Sequence, residues 1–341
     1  MSDRLRVALV GAGAVAARCH LPAIRAVPEV RPTLVVDADA ERARRFAERY
    51  CFPRWSADHA DVIGCADLAI VALPNWLHAT VSSDLLSSGV HVLCEKPMAR
   101  DVEECGAMIA SAEKGGALLA IGHNRRFRPH VALTHRLVTQ RLIGEIVRVE
   151  AAEGSREDWP RSRFYFDPAL AGGGALMDVG IHAIDLIRWM VADFGELTYA
   201  GVGVRDGIEA EADLRFKLVG GAEGRLVVSR ERDLSQELIL VGTEGSLTMG
   251  LWSPGLRIRG GKGKAFQRLA HLDLAVARRA GDASFGDQLL NLVHAIQGRG
   301  SVLVDGREGM ASVQVVRRAY GGPVPAASTR VMTGCGLHRW N

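Results

Sequence analysis

Short apolar runs closed by glycine, proline or a charged residue alternate with longer stretches of helical spacing through the first third of the chain. Arg6–Val10 reads as a buried strand ended by Gly11. Val15–Val27 suits a helix that Pro22 either kinks or divides. Thr33–Val36 is a second strand ending at Asp37. Asp39 is placed to cap a helix running to Tyr50, because its carboxylate accepts the free amides of a first turn. Leu68–Leu73, Val90–Cys94 and Ala117–Ile121 read as strands, separated by helices over Asn75–Ser88 and Val102–Lys114. Strands separated by helices of this length are βαβ units, whose right-handed crossovers build a parallel sheet.

The pattern changes after Asn124. A helix at Pro129–Gln140 is followed by strand-like runs at Ile146–Ala152, Thr198–Val204, Ala212–Leu218, Arg225–Ser229, Glu237–Val241 and Ser246–Met249. Short turns containing Gly and Asp join most of them and favour hairpins in an antiparallel or mixed sheet. One long helix over Gly174–Val191 precedes most of these strands, and two more lie at Phe285–Gln297 and Gly306–Tyr320. The expected fold class is α/β. An N-terminal Rossmann parallel sheet occupies residues 1–123 and a C-terminal α/β domain with an open, mostly antiparallel sheet occupies 124–320. The remainder, 321–341, has no periodicity and is expected to be loosely held.

Bulk properties narrow the class. A length of 341 residues suits two cores, and a net charge of +3 gives no global argument for nucleic acid as a partner. The cysteines form no CxxC pair and sit mostly in apolar or helical stretches, so buried thiols in a reducing compartment are expected. No run reaches the roughly 18 consecutive apolar residues of a membrane span, and the N-terminus has no separate apolar region of the signal-peptide kind. A cytoplasmic location without membrane contact follows, and no metal site is expected. The basic stretch Arg257–Arg279 reads as a solvated excursion rather than a phosphate loop.

Chemistry concentrates at three places. The loop Gly11-Ala12-Gly13-Ala14-Val15-Ala16 lies between a predicted strand and a predicted helix. Gly11 permits a tight turn, Gly13 lets a pyrophosphate approach the backbone, and Ala16 allows close helix–strand contact. Asp37 stands at the end of the second strand, where a carboxylate accepts ribose hydroxyls and repels a 2′-phosphate; NAD is therefore favoured over NADP. Lys96 follows the carboxyl end of a predicted parallel strand, where ligands bind in such sheets, with Glu95 beside it and Pro97 fixing the turn. Asp178 and His182, four apart, project from one helical face behind Gly172-Gly173-Gly174.

Together these residues, with LPNWLHA at Leu73–Ala79, HVLCEKPMA at His91–Ala99, NRRFRP at Asn124–Pro129 and GGGALMDVGIHAIDLIRW at Gly172–Trp189, resemble the Gfo/Idh/MocA oxidoreductases over about residues 4–320. The resemblance implies that Lys96, Asp178 and His182 form the reactive group. It also places Gly11, Gly13, Ala14, Val15, Asp37, Leu73, Pro74, Asn75, His78 and Glu95 at the cofactor. It implies assembly into homodimers or homotetramers, and a Lys96–Pro97 bond that is often cis in relatives. Positioning groups for a sugar or cyclitol are expected from Asn124, Arg126, Trp159, Arg163 and Tyr165. The expected reaction moves hydride between nicotinamide and a secondary alcohol, with His182 removing the hydroxyl proton, Asp178 orienting its ring and Lys96 stabilising the oxygen. Ketosugar reduction, redox-assisted elimination or glycoside cleavage with retained NAD, and a non-catalytic sensor are the alternatives.

Overall fold

A computed structural model describes residues 4–156, 166–204, 207–260 and 283–321. The first domain is a six-stranded parallel sheet in the order β3-β2-β1-β4-β5-β6. Its strands are β1 Leu5–Val10, β2 Val30–Val36, β3 Trp55–Ser56, β4 Leu68–Val71, β5 His91–Cys94 and β6 Leu119–Ile121. Alternate residues of β1 feed two cores, as the period of two requires. Val7 and Leu9 face α1 (Leu21–Ala26), while Ala8 and Val10 belong to the core that α3 (Asn75–Ser87) and α4 (Val102–Gly115) cover. Asp39 caps α2 (Ala40–Tyr50) as expected, accepting from Arg42 N at 3.0 Å.

The segment 15–27 is not divided: helical backbone runs unbroken from Ala14 to Ala26. Ala16–His20 forms a π-helical turn that passes directly into α1, and Pro22 follows this widened turn. The edge strand β3 is not legible in the sequence, because two residues carry no periodicity.

The second domain is a seven-stranded mixed sheet in the order β13-β12-β11-β7-β10-β9-β8. These strands are β7 Ile146–Gly154, β8 Phe194–Val202, β9 Glu211–Leu218, β10 Glu223–Ser229, β11 Glu237–Gly242, β12 Gly245–Gly250 and β13 Leu256–Gly260. Among the described strands of this sheet only β7 and β10 pair in parallel. Alternate residues such as Leu214, Phe216, Leu238, Leu240, Leu247 and Met249 bury one face in the same core as α7 (Ile181–Met190). That burial is worth roughly 1.5–3 kcal/mol per large side chain. β13 runs into the start of the basic stretch: Leu256 and Ile258 alternate with Arg257 and Arg259, the charged pattern of an exposed sheet edge. The rest of that stretch and residues 322–341 lie outside the described residues.

Two late helices tie the domains together. The helix Ser284–Ile296, α8 here (α5 being Pro129–Thr139 and α6 Pro168–Ala171), buries Leu289, Leu292 and Val293 against Val7, Leu9 and Leu68 of the first domain. The last helix, α9 (Gly306–Gly321), lies against α4 and α7. The helical stretch Pro168–Met190 has the length and apolarity of a membrane span, but 67% of its most apolar window is buried inside the fold, as in a core helix.

Candidate active site

The glycine loop is built as a cradle. Gly11 has φ +104°, its amide donates to Val36 O at 2.7 Å, and a Cβ there would stand 2.3 Å from Ala72 O. Gly13 is the opposite case: a Cβ would meet nothing within 4 Å, which is the open approach a pyrophosphate needs. Asp37, 8% exposed, accepts from the Ala12 amide at 3.0 Å and from Asp39 N at 3.0 Å. Arg42, which no sequence motif marks, approaches the same carboxylate at 3.3 Å while also binding Asp39. A loop with free space at Gly13 and a carboxylate at the end of β2 fits a dinucleotide.

Lys96 follows β5, and the Lys96–Pro97 bond is cis. His78 is fully enclosed. Its two ring nitrogens lie 2.8 Å from the carbonyls of Pro97 and Leu73, so it sits between the turn after β4 and the turn after β5, and the nitrogen carrying the proton donates to one of them. Burial lowers its pKa. Pro74 precedes α3, and Asn75 donates to Ala171 O at 2.8 Å. Glu95 accepts from His20 Nε2 at 2.8 Å and from the Lys96 amide at 3.1 Å. Burial opposes the Glu95 charge, yet His20 and Lys96 hold its carboxyl below the ordinary range. His20 comes from the π-helical turn, a distortion frequent at functional sites.

Asp178 lies in a second π-helical turn, Leu176–Gly180, which runs into α7 carrying His182. The start of this turn is held from outside. Glu209 accepts from Leu176 N at 2.9 Å and from Tyr320 Oη at 2.8 Å, and a Cβ on Gly174 would collide with Glu209 O at 2.3 Å. Burial raises the pKa of Glu209.

The expected Asp178–His182 pairing is replaced by another. Lys96 Nζ donates to Asp178 O at 2.8 Å and Oδ1 at 3.2 Å, and Arg230 lies 3.1 Å from Oδ2. Two full cations outcompete a neutral imidazole for one carboxylate. Burial opposes the Asp178 charge, but these cations keep its pKa low. His182 Nδ1 is buried without a hydrogen-bond partner among the described residues. Burial, with Arg125, Lys96, His123 and Arg128 nearby, holds its pKa well below 6.5, not at the ordinary imidazole value expected from sequence.

These groups meet on one cavity of about 390 Å³. Val15, Leu73, Asn75, Glu95 and Lys96 line it from the first domain, and Asn124, Asp178 and His182 from the second. Arg126 is absent from its lining. It is 2% exposed and clamps Asp185 through two bonds of 3.0 and 2.7 Å while reaching Glu308 at 2.7 Å. A guanidinium with that many carboxylate partners is an interior tie, not a substrate ligand. Its neighbours Arg125 and Arg128 line the cavity instead. Trp159, Arg163 and Tyr165 lie outside the described residues.

The cavity also contains a wall the sequence does not announce. Arg125 pairs with buried Glu153 at 2.8 Å, Trp252 Nε1 donates to Glu153 at 2.9 Å, and the Arg125 guanidinium sits 4.6 Å from the Trp252 ring centre. Residues this far apart in sequence carry no shared local pattern, although Arg125 stands inside the NRRFRP motif.

Comparison with known proteins agrees with this architecture. Residues 5–123 match the family described as an oxidoreductase family with an NAD-binding Rossmann fold, and residues 131–248 match the GFO/IDH/MocA C-terminal domain. The chain is 32% identical over 257 residues to dTDP-3,4-didehydro-2,6-dideoxy-alpha-D-glucose 3-reductase of Streptomyces violaceoruber, covering 72% of each. It is 32% identical over 207 residues to levoglucosan dehydrogenase of Pseudarthrobacter phenanthrenivorans, covering 56% of this chain and 52% of that one. The chain thus spans a little over half the length of several curated relatives it matches. The WlbA dehydrogenase of Bordetella pertussis, solved with NADH and UDP-GlcNAcA, shares the fold at a TM-score of 0.84 and 20% identity, covering 94% of this chain and 95% of that one. On these matches, the chain belongs to the Gfo/Idh/MocA oxidoreductase family.

Proposed function

We propose that this chain is an NAD-dependent dehydrogenase or reductase acting on a secondary alcohol or ketone of a sugar, aminosugar or cyclitol. The observation that carries the reading is the convergence of Lys96 from one domain and His182 from the other on a cavity bordered by the glycine loop. The Gly11–Ala16 loop would hold the pyrophosphate, Asp37 the adenosine ribose, and Val15, Leu73, Pro74, Asn75 and Glu95 the nicotinamide half, with His78 keeping their two turns in place. Bound NAD supplies the hydride acceptor. His182, neutral at physiological pH because its pKa is lowered, takes the hydroxyl proton at Nε2, the nitrogen left when Nδ1 is buried. Lys96, held by Asp178, directs an N–H at the reacting oxygen and stabilises its developing charge. Arg230 shares the Asp178 carboxylate and keeps it ionised. Asn124, Arg125, Arg128, Glu153 and Trp252 form the wall against which a polyhydroxylated ring is oriented.

Asp37 favours NAD over NADP by repelling a 2′-phosphate. Among the described residues the cysteines are free, which supports a reducing, cytoplasmic setting, and homodimers or homotetramers are the assemblies the family implies. A second reading, ketosugar reduction as the physiological direction, is favoured by the 32% identity to a nucleotide-sugar 3-reductase.

The test is a panel of polyols, cyclitols, aminosugars and nucleotide sugars with NAD and NADP, run in both directions at the NADH absorbance. Turnover with NAD on at least one sugar or cyclitol is expected. Absence of any dinucleotide-dependent change in both directions contradicts the assignment.

A further inference from the structure

Behind His182 stands a histidine to which the mechanism gives no role. His123 follows β6 and is 0% exposed, and neither of its ring nitrogens has a hydrogen-bond partner among the described residues. Buried polar atoms are nearly always paired, and an unpaired one destabilises the fold. A phenylalanine fills the same space without that penalty, so an imidazole here calls for a reason other than packing.

Its surroundings supply one. The ring stands edge-on to His182, with centroids 6.1 Å apart and planes at 82°. His182 Nδ1, also buried and without a partner among the described residues, belongs to that same neighbouring ring. On another side, His123 Nδ1 lies 4.0 Å from Asp185 Oδ2. Asp185 is anchored by Arg126, whose guanidinium continues to Glu308, a carboxylate with 39% of its side chain exposed. A line of ionisable groups therefore runs from the cavity to the surface.

We propose that His123 is the proton partner of His182, an inference that rests on His182 being the acid–base group of the reaction. As His182 takes the substrate proton at Nε2, the proton on its Nδ1 passes to His123. The resulting imidazolium faces the Asp185 carboxylate. One proton enters the pair, one moves within it, and no electrons change hands; reduction runs the transfer backwards. The two rings are edge-on neighbours, and neither His182 Nδ1 nor either His123 nitrogen has another hydrogen-bond partner among the described residues. The charges facing His123 come from several elements. Asp185 on α7 and Glu95 after β5 favour its protonation, whereas Arg126 on its own turn and Lys96 oppose it. Burial outweighs these charges and lowers the His123 pKa, so the ring is neutral at rest and accepts a proton only transiently. His123 acts through His182 and is a positioning residue for the proton.

The experiment compares the parent protein with His123→Phe. The variant is expected to keep or raise Tm, to lower kcat about tenfold or more, and to change the size of the solvent deuterium isotope effect on kcat. A second measurement does not depend on turnover: the imidazole NMR titration of His182 should be a coupled two-step curve in the parent and a single step in His123→Phe. Unchanged kcat with an unchanged isotope effect overturns the proposal. So does a fall in Tm and kcat together with an unaltered His182 titration, which would make His123 a packing residue. If the parent turns over no sugar, the functional reading fails, while the titration still decides whether the two histidines share a proton.

Discussion

Gly11 and Gly13 stand two apart in one loop and do different work. Gly11 needs its positive φ and its missing Cβ to fold past Ala72. Gly13 has empty space where its Cβ would be, the opening that the proposed pyrophosphate contact uses. Gly11→Ala should therefore lower stability by about 2 kcal/mol or more. Gly13→Ala should leave Tm unchanged while raising the Kd for NAD at least about tenfold. Thermal melts and calorimetric NAD titrations check both, and unaltered NAD affinity in Gly13→Ala would place the phosphates elsewhere. At this scale the sequence is readable in placement: Gly11 takes the tight turn, Asp37 stands at the end of β2, and Lys96 and His182 reach one cavity. It is unreadable within Asn124-Arg125-Arg126, because these fall on a 3₁₀ turn with three residues per turn. Successive side chains there point in three directions, and nothing local says that Arg126 turns inward to Asp185.

At the scale of elements, both helices that serve the site begin with a π-helical turn, and one delivers His20 while the other delivers Asp178. Helical periodicity predicts helices at both places but not the extra residue, since a π turn and an α turn bury much the same apolar positions. The second turn depends on Glu209, which accepts from Leu176 N and Tyr320 Oη while buried. Burial raises its pKa in the folded state, so its carboxyl favours folding when protonated and costs stability as pH rises through that raised value. Neither acceptor role requires a charge: in Glu209→Gln the amide oxygen keeps both. The variant should melt a few degrees above the parent at neutral pH, and the gap should close on acidification. A loss of Tm that is the same at every pH contradicts this account of the turn.

At the scale of the whole molecule, α8 returns from the far end of the chain to complete the core of the first domain, and α9 bridges α4 and α7. Both are legible in the sequence as helices; the sheet that each one covers is not, because periodicity records a buried face and not its partner. These returns hold the two domains so that Lys96 and His182 face one cavity. The central claim is that the reaction needs both. The most direct measurement is steady-state turnover of Lys96→Ala and His182→Ala beside calorimetric NAD binding, with kcat/KM of the parent followed against pH. Each variant should lose about 10²–10⁴-fold in kcat with NAD affinity little changed. Because burial depresses the His182 pKa, the acid limb of the parent's profile for alcohol oxidation should lie below the ordinary imidazole value of 6.5. Full turnover in both variants would contradict the account.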